Sequence, residues 1–230
     1  MRLLNTRTEE LRVFNHSRIP YAILSHTWGP GEITLQDLLA GKAPSLKGYK
    51  KLIGACNQAL SDGFDYIWID TSINSMWVWY QNSRVCYAYL EDVPEQDVDV
   101  LGGYSKTFMD CRWFTRGWTL QELIAPSTVV FYSDDWYEIG TRDQMREPLG
   151  KITGIDHKFF EYGILGRYSI AQRMSWAAKR KTTRIEGQAY CLLGLFGVSM
   201  PLLYGEGEMA FIRLQEEIMK RTDDQSIFAC

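Results

Sequence analysis

Tyr21-Ala22-Ile23-Leu24 is a short apolar run that stops at Ser25-His26-Thr27-Trp28-Gly29-Pro30-Gly31, where glycine and proline interrupt regular structure, so it predicts a buried strand followed by a loop. From Tyr49 to Leu60 the apolar positions Leu52, Ile53, Cys56, Ala59 and Leu60 fall at helical intervals and end at Ser61-Asp62-Gly63, which predicts an amphipathic helix. Phe64 to Ile69 is aromatic and β-branched and predicts a second buried strand; Val85 to Leu90 repeats that signature, and Val129 to Tyr132 repeats it again. Short helices are expected over about 73–80 and over Thr119 to Ala125. Strands alternating with helices predict an α/β fold with a mainly parallel sheet covered on both faces. Beyond about Gly140 the strand signals fade, and Ser169 to Lys179, Ile185 to Phe196 and Glu208 to Lys220 read as helices. The expectation is a core over about 1–140 and a C-terminal helical extension over about 141–230.

At 230 residues, 46% hydrophobic and 23% charged with a formal net charge of -3, the chain has the profile of one globular unit with an appendage. Near-neutral charge gives no reason to expect a nucleic-acid partner. No apolar run approaches membrane-spanning length and the start lacks a signal-peptide core, so an intracellular, cytoplasmic location without a membrane partner is expected. Five cysteines without a Cys-x-x-Cys pair indicate reduced thiols, and three scattered histidines give no metal-site spacing.

Ligands of open parallel sheets bind beyond the carboxyl ends of the strands. That rule selects Ser25 and His26 after the first strand, Asp70 after the second, and Glu122 in the helix that follows the third. Each also has a plainer reading: Ser25 as a satisfied loop residue, His26 as a hydrogen-bonded structural histidine, Asp70 as a turn or cap. Thr119-Leu120-Gln121-Glu122 has the form of a capping box, in which Glu122 would turn back to helix amides. Arg112-Trp113-Phe114-Thr115-Arg116-Gly117-Trp118 sets two guanidinium groups among rings before that helix, suited to a phosphate or base, or to an aromatic corner with the arginines over the rings. Arg173, Lys179, Arg180, Lys181 and Arg184 read as a solvated basic face. Gly41-Lys42-Ala43 lacks the residues of a P-loop. Gly205-Glu206-Gly207-Glu208-Met209-Ala210 matches a dinucleotide pattern by letters, but has no leading strand and carries repelling carboxylates.

Met1-Arg2-Leu3-Leu4-Asn5-Thr6, Tyr21 to Gly29, Tyr66 to Thr71, Arg112 to Leu123, Arg173-Met174-Ser175-Trp176-Ala177, Lys181-Thr182-Thr183-Arg184 and Met200 to Gly207 together resemble the fungal heterokaryon-incompatibility (HET) domain. The resemblance implies the effector part of a larger protein whose downstream nucleotide-binding and repeat domains trigger regulated cell death. The order of elements from Ile69 to Tyr132 is also similar to the TIR domain, which is flavodoxin-like and in many members cleaves NAD. By that resemblance Glu122 is the catalytic glutamate, and Ser25, His26, Trp28, Asp70, Arg116 and Trp118 line the nucleotide pocket. NAD would be substrate rather than cofactor, and the alternative is a non-enzymatic module that self-associates. Two departures stand out. Asp70-Thr71-Ser72 runs straight into the next helix where the family has a dozen or more further residues, which implies a shortened connection or a break near Thr71-Ser72. Glu186-Gly187 stands where the family tends to have Glu-Asp.

Overall fold

The computed structural model describes residues 1–14, 19–69, 76–97 and 105–229. Seven strands form one sheet: β1 (Arg2–Asn5), β2 (Leu11–Val13), β3 (Ala22–Ser25), β4 (Tyr66–Trp68), β5 (Val85–Tyr89), β6 (Val129–Tyr132) and β7 (Glu138–Thr141). The helices are α1 (Leu35–Leu39), α2 (Tyr49–Ser61), α3 (Met76–Asn82), α4 (Lys106–Met109), α5 (Thr119–Ile124), α6 (Arg146–Thr153), α7 (His157–Tyr162), α8 (Ile170–Ser175), α9 (Gly187–Tyr190), α10 (Leu193–Phe196) and α11 (Met209–Met219).

The strand order is β2-β1-β4-β3-β5-β6-β7. β4, β3, β5 and β6 are mutually parallel, with Ile23 opposite Trp68 on one side and Cys86 on the other, and Ala88 opposite Phe131. β1 pairs antiparallel with β4 and β2, and β7 pairs antiparallel with β6. The sheet is therefore mixed, which corrects the expectation of a mainly parallel one. The four strands expected from their apolar runs are the parallel ones. Of the three additions, β2 and β7 are short, partly exposed edge strands, and β1 is an interior strand whose two buried residues, Leu3 and Leu4, make too short an apolar run to stand out from a loop.

Alternate side chains of the parallel strands feed two cores. Leu3, Ile23, Trp68, Cys86, Ala88, Val129 and Phe131 face one side, while Leu4, Ala22, Leu24, Ile67, Tyr87 and Tyr132 face the other. The second face is closed by α2 through Leu52, Ala55, Cys56 and Ala59. Gly54 of α2 lets Trp136 lie against the helix: a Cβ there would fall 2.1 Å from the indole nitrogen, whose ring packs 5.1 Å from Tyr89 and 5.4 Å from Tyr132. The first face carries α3, α5 and the helices after residue 141, whose Leu149, Phe159, Trp176, Leu192, Leu214 and Ile227 join the same buried cluster as the strands.

The chain leaves β3 through α2 to β4 on one side and later returns as β5 on the other. Strand order thus reverses between β3 and β5, and a crevice opens beyond the carboxyl end of Ser25. Asp70 and the Thr71-Ser72 connection lie outside the described residues.

Candidate functional site

Ser25 ends β3 with its side chain fully buried. Its hydroxyl donates to the Glu122 carboxylate and accepts a 2.8 Å bond from the indole N–H of Trp113, giving a directed chain from Trp113 through Ser25 to Glu122. Trp113 sits in the 3-10 turn Arg112–Thr115, wedged edge-on against Phe114 and Phe131. The capping-box reading does not hold. The cap of α5 is Trp118, without a side-chain bond, and Thr119 is already inside the helix. The Thr119 hydroxyl lies against the carbonyls of Trp113 and Arg116 and accepts from Arg180 at 2.9 Å, so it does not serve as the cap of a Thr-x-x-Glu box.

Two buried arginines hold α5. Arg142 donates to the carbonyls of Leu123 (3.0 Å), Pro126 (2.8 Å) and Ser127 (2.8 Å) at its C-terminal end, where a cation also favours the helix dipole. Arg180 reaches the other end through Thr119 and the Arg116 carbonyl. The expectation that Arg180 belongs to a solvated face is overturned: it is only 7% exposed, and burial lowers its pKa to about 10 even though the neighbouring Cys191 and Glu122 act in the opposite sense. The stretch around it is stitched to the turn before α5 by Lys181 N to Thr115 O (2.7 Å) and Gly117 N to Lys181 O (2.9 Å). Gly117 permits that approach, since a Cβ there would lie 2.4 Å from the Thr182 methyl.

A cavity of about 240 Å³ opens above these groups, with His26, Trp28, Arg116, Trp118, Glu122 and Thr183 in its walls. Every proposed pocket residue within the described part thus lies in the cavity wall or, for Ser25, is bonded to a residue in it. The His26 side chain is buried, 3.7 Å from the Glu32 carboxylate and 5.6 Å from the Trp28 ring. Burial, and then the Lys51 cation, push its pKa well below the ordinary histidine value, so the imidazole is neutral near pH 7. Lys51 pairs with Glu32 beneath it. Sequence patterns gave no signal for that Glu32–Lys51 pair, because its members come from a loop and from a helix that otherwise reads as plain amphipathic. Arg116 bonds Thr183 at 3.3 Å, whereas Arg112 points away to Glu91 and Asp92. Among the described residues neither guanidinium lies over an aromatic ring, so the aromatic-corner reading gives way to one arginine in the cavity and one outside it.

Such an arrangement suits a ligand with a flat ring, an anionic group and a centre that becomes positive during reaction. The indoles offer faces, Arg116 a cation, and Glu122 a buried negative charge.

The chain is 43% identical, over 219 aligned residues, to the Vegetative incompatibility protein HET-E-1 of Podospora anserina. It resembles a vegetative incompatibility protein. The alignment takes in 87% of this chain but 16% of that relative, so the likeness is to one part of a much longer protein. Residues 209–230, from α11 onward, match a family described as Domain of unknown function (DUF8212). No solved structure matches. Among the described residues no helix is long and apolar enough to cross a membrane, and no group of acidic, histidine and cysteine side chains has the form of a metal site.

Of the Glu186-Gly187 pair, Glu186 has a structural role. Glu186 is buried and accepts the amides of Gly205 (2.7 Å) and Gly207 (3.1 Å), and its own backbone amide followed by these two lowers its pKa. The glycine turn set aside as a dinucleotide loop does hold an anion: the carboxylate of Glu186.

Proposed function

We propose that the chain is a HET-type effector domain of fungal heterokaryon incompatibility, working within a longer protein, and that its cavity hydrolyses NAD in the manner of TIR domains. The observation that carries the reading is Glu122: a carboxylate held by Ser25 and set in the wall of a cavity at the strand switch point. Similarity to a vegetative incompatibility protein supports the biological setting. In the reaction, the bond from ribose C1′ to the nicotinamide nitrogen breaks with its electron pair going to nicotinamide. Glu122 stabilises the oxocarbenium-like carbon, and water adds to it and releases a proton to solvent. Arg116 would meet the pyrophosphate, and Trp28 and Trp118 would flank a ring. Downstream nucleotide-binding and repeat domains of the longer protein would supply the trigger.

The test follows nicotinamide release from NAD by purified protein at several concentrations, comparing wild type with Glu122→Gln. The Gln side chain still accepts from Ser25 but carries no charge. A loss of about 100-fold or more at unchanged thermal stability is expected. Equal release by both proteins would remove Glu122 from the reaction. An inactive wild type that oligomerises would favour the second reading, self-association without turnover, which rests on the exposed Leu203, Tyr204, Met209 and Ile212.

A further inference from the structure

Loop 26–32 carries two members of the cavity wall, His26 and Trp28, yet it forms neither helix nor strand. Its Gly29-Pro30-Gly31 stretch turns sharply, with Gly31 at a left-handed φ of +84°. What reaches it from the helix below is Lys51 of α2. The Lys51 side chain is only 7% exposed, and its ammonium pairs with Glu32, lies 3.5 Å from the Thr27 carbonyl oxygen and stands 5.7 Å from the centre of the Tyr89 ring at the end of β5. Glu32 is 10% exposed and also faces His26 at 3.7 Å. One buried cation thus joins both ends of the loop to α2. Gly48, just before that helix, donates its amide to the Gly31 carbonyl at 3.0 Å and leaves room for Glu32, since a Cβ there would fall 3.1 Å from the carboxylate.

A buried ion pair is a poor device for stability alone. Desolvation of both charges offsets much of their attraction, and apolar residues of similar size often hold a fold as well. What the pair adds over apolar contacts is direction, because charge-assisted hydrogen bonds are short and oriented. We propose that Lys51 and Glu32 are positioning residues of the site: their pair holds loop 26–32 so that the His26 and Trp28 rings stand where a ring of the ligand meets them. That this ligand is NAD rests on the hydrolase reading of the Glu122 site.

Lys51→Met alone would leave the Glu32 charge buried without its partner, so the test is the double variant Lys51→Met with Glu32→Gln. It should fold, with a Tm within about 3 °C of wild type. Amide hydrogen exchange followed by mass spectrometry should quicken about tenfold in peptides covering 26–32 and stay unchanged in those covering α5. In nicotinamide release, KM for NAD should rise about tenfold with kcat within about twofold, the split that follows when ground-state and transition-state binding weaken equally. Trp28→Ala should raise KM similarly, and adding it to the double variant should raise KM no further. Unchanged exchange at 26–32, a double variant that does not fold, or an unchanged KM in an active enzyme would each overturn the proposal. A wild type that releases no nicotinamide removes the NAD reading alone, and the exchange comparison then decides whether the pair holds the loop.

Discussion

Ser25→Ala removes one oxygen and disconnects two buried partners. The indole N–H of Trp113 has no exposure and points at the Ser25 oxygen, so the substitution strands a buried neutral donor, at a cost of about 1–3 kcal/mol. The Glu122 carboxylate loses its bond from the hydroxyl, but it keeps other interactions and borders a cavity that water can enter, so its share is smaller, about 1 kcal/mol. Together these predict a loss of about 2–4 kcal/mol. With a urea slope of about 2 kcal/mol per molar, the unfolding midpoint should fall by about 1–2 M. The same change made in a Trp113→Phe background should cost about 1–2 kcal/mol less, because the stranded donor is gone. If Ser25→Ala costs under about 0.5 kcal/mol, or costs the same in both backgrounds, the Trp113–Ser25–Glu122 chain does not hold the site together.

Arg142→Met replaces three hydrogen bonds to carbonyls with none. It should cost about 3–5 kcal/mol and lower Tm by roughly 6–15 °C in calorimetry, whereas a drop under about 2 °C would show that water replaces the guanidinium. His26 resists protonation when folded but titrates near 6.5 when unfolded. Below that pH the unfolded state takes up the extra proton, and stability should fall with pH by up to about 1.4 kcal/mol per unit. Urea midpoints between about pH 7 and 5 should fall less steeply in His26→Gln, and parallel slopes would exclude His26 as the cause. Gly54→Ala should destabilise by about 1–3 kcal/mol despite improving helix propensity, because the methyl displaces Trp136; a stabilised variant in urea denaturation would show that the indole has room to move.

Much of the fold was legible because strands buried on both faces must be apolar throughout. Tyr21 to Leu24, Tyr66 to Trp68, Val85 to Tyr89 and Val129 to Tyr132 show this in their letters. β2 and β7 were not, because an edge strand that is half wet has no distinctive pattern, and β1 was not because its apolar run is only Leu3-Leu4 although it lies inside the sheet. Within the site, the end-of-strand rule places Ser25, His26 and Glu122 together from the sequence, since it depends only on chain order. It could not place Arg180. A buried arginine and a solvated one look alike in a run of basic residues, and only the packing of the last third shows which is which. The capping box failed for a related reason: Thr-x-x-Glu states what side chains could do locally, while Ser25, 97 residues away from Glu122, offered the carboxylate a partner outside the helix.

The order in which the chain is made gives the clamp on α5 another meaning. A six-residue helix does not hold its shape in water, so the direction of Glu122 is set by Arg142 and Arg180, both of which follow it in the chain. On a ribosome adding about 5–20 residues per second, Glu122 waits roughly 3–12 s for Arg180 to be joined, and longer for the segment that carries it to pack. During that interval the carboxylate is present and the pocket is not. A product that terminates before residue 180 would have the strands, Ser25, Glu122 and Arg142, yet lack the Arg180 bonds that fix the N-terminal end of α5, so the last third of the chain acts as a completeness check on the site.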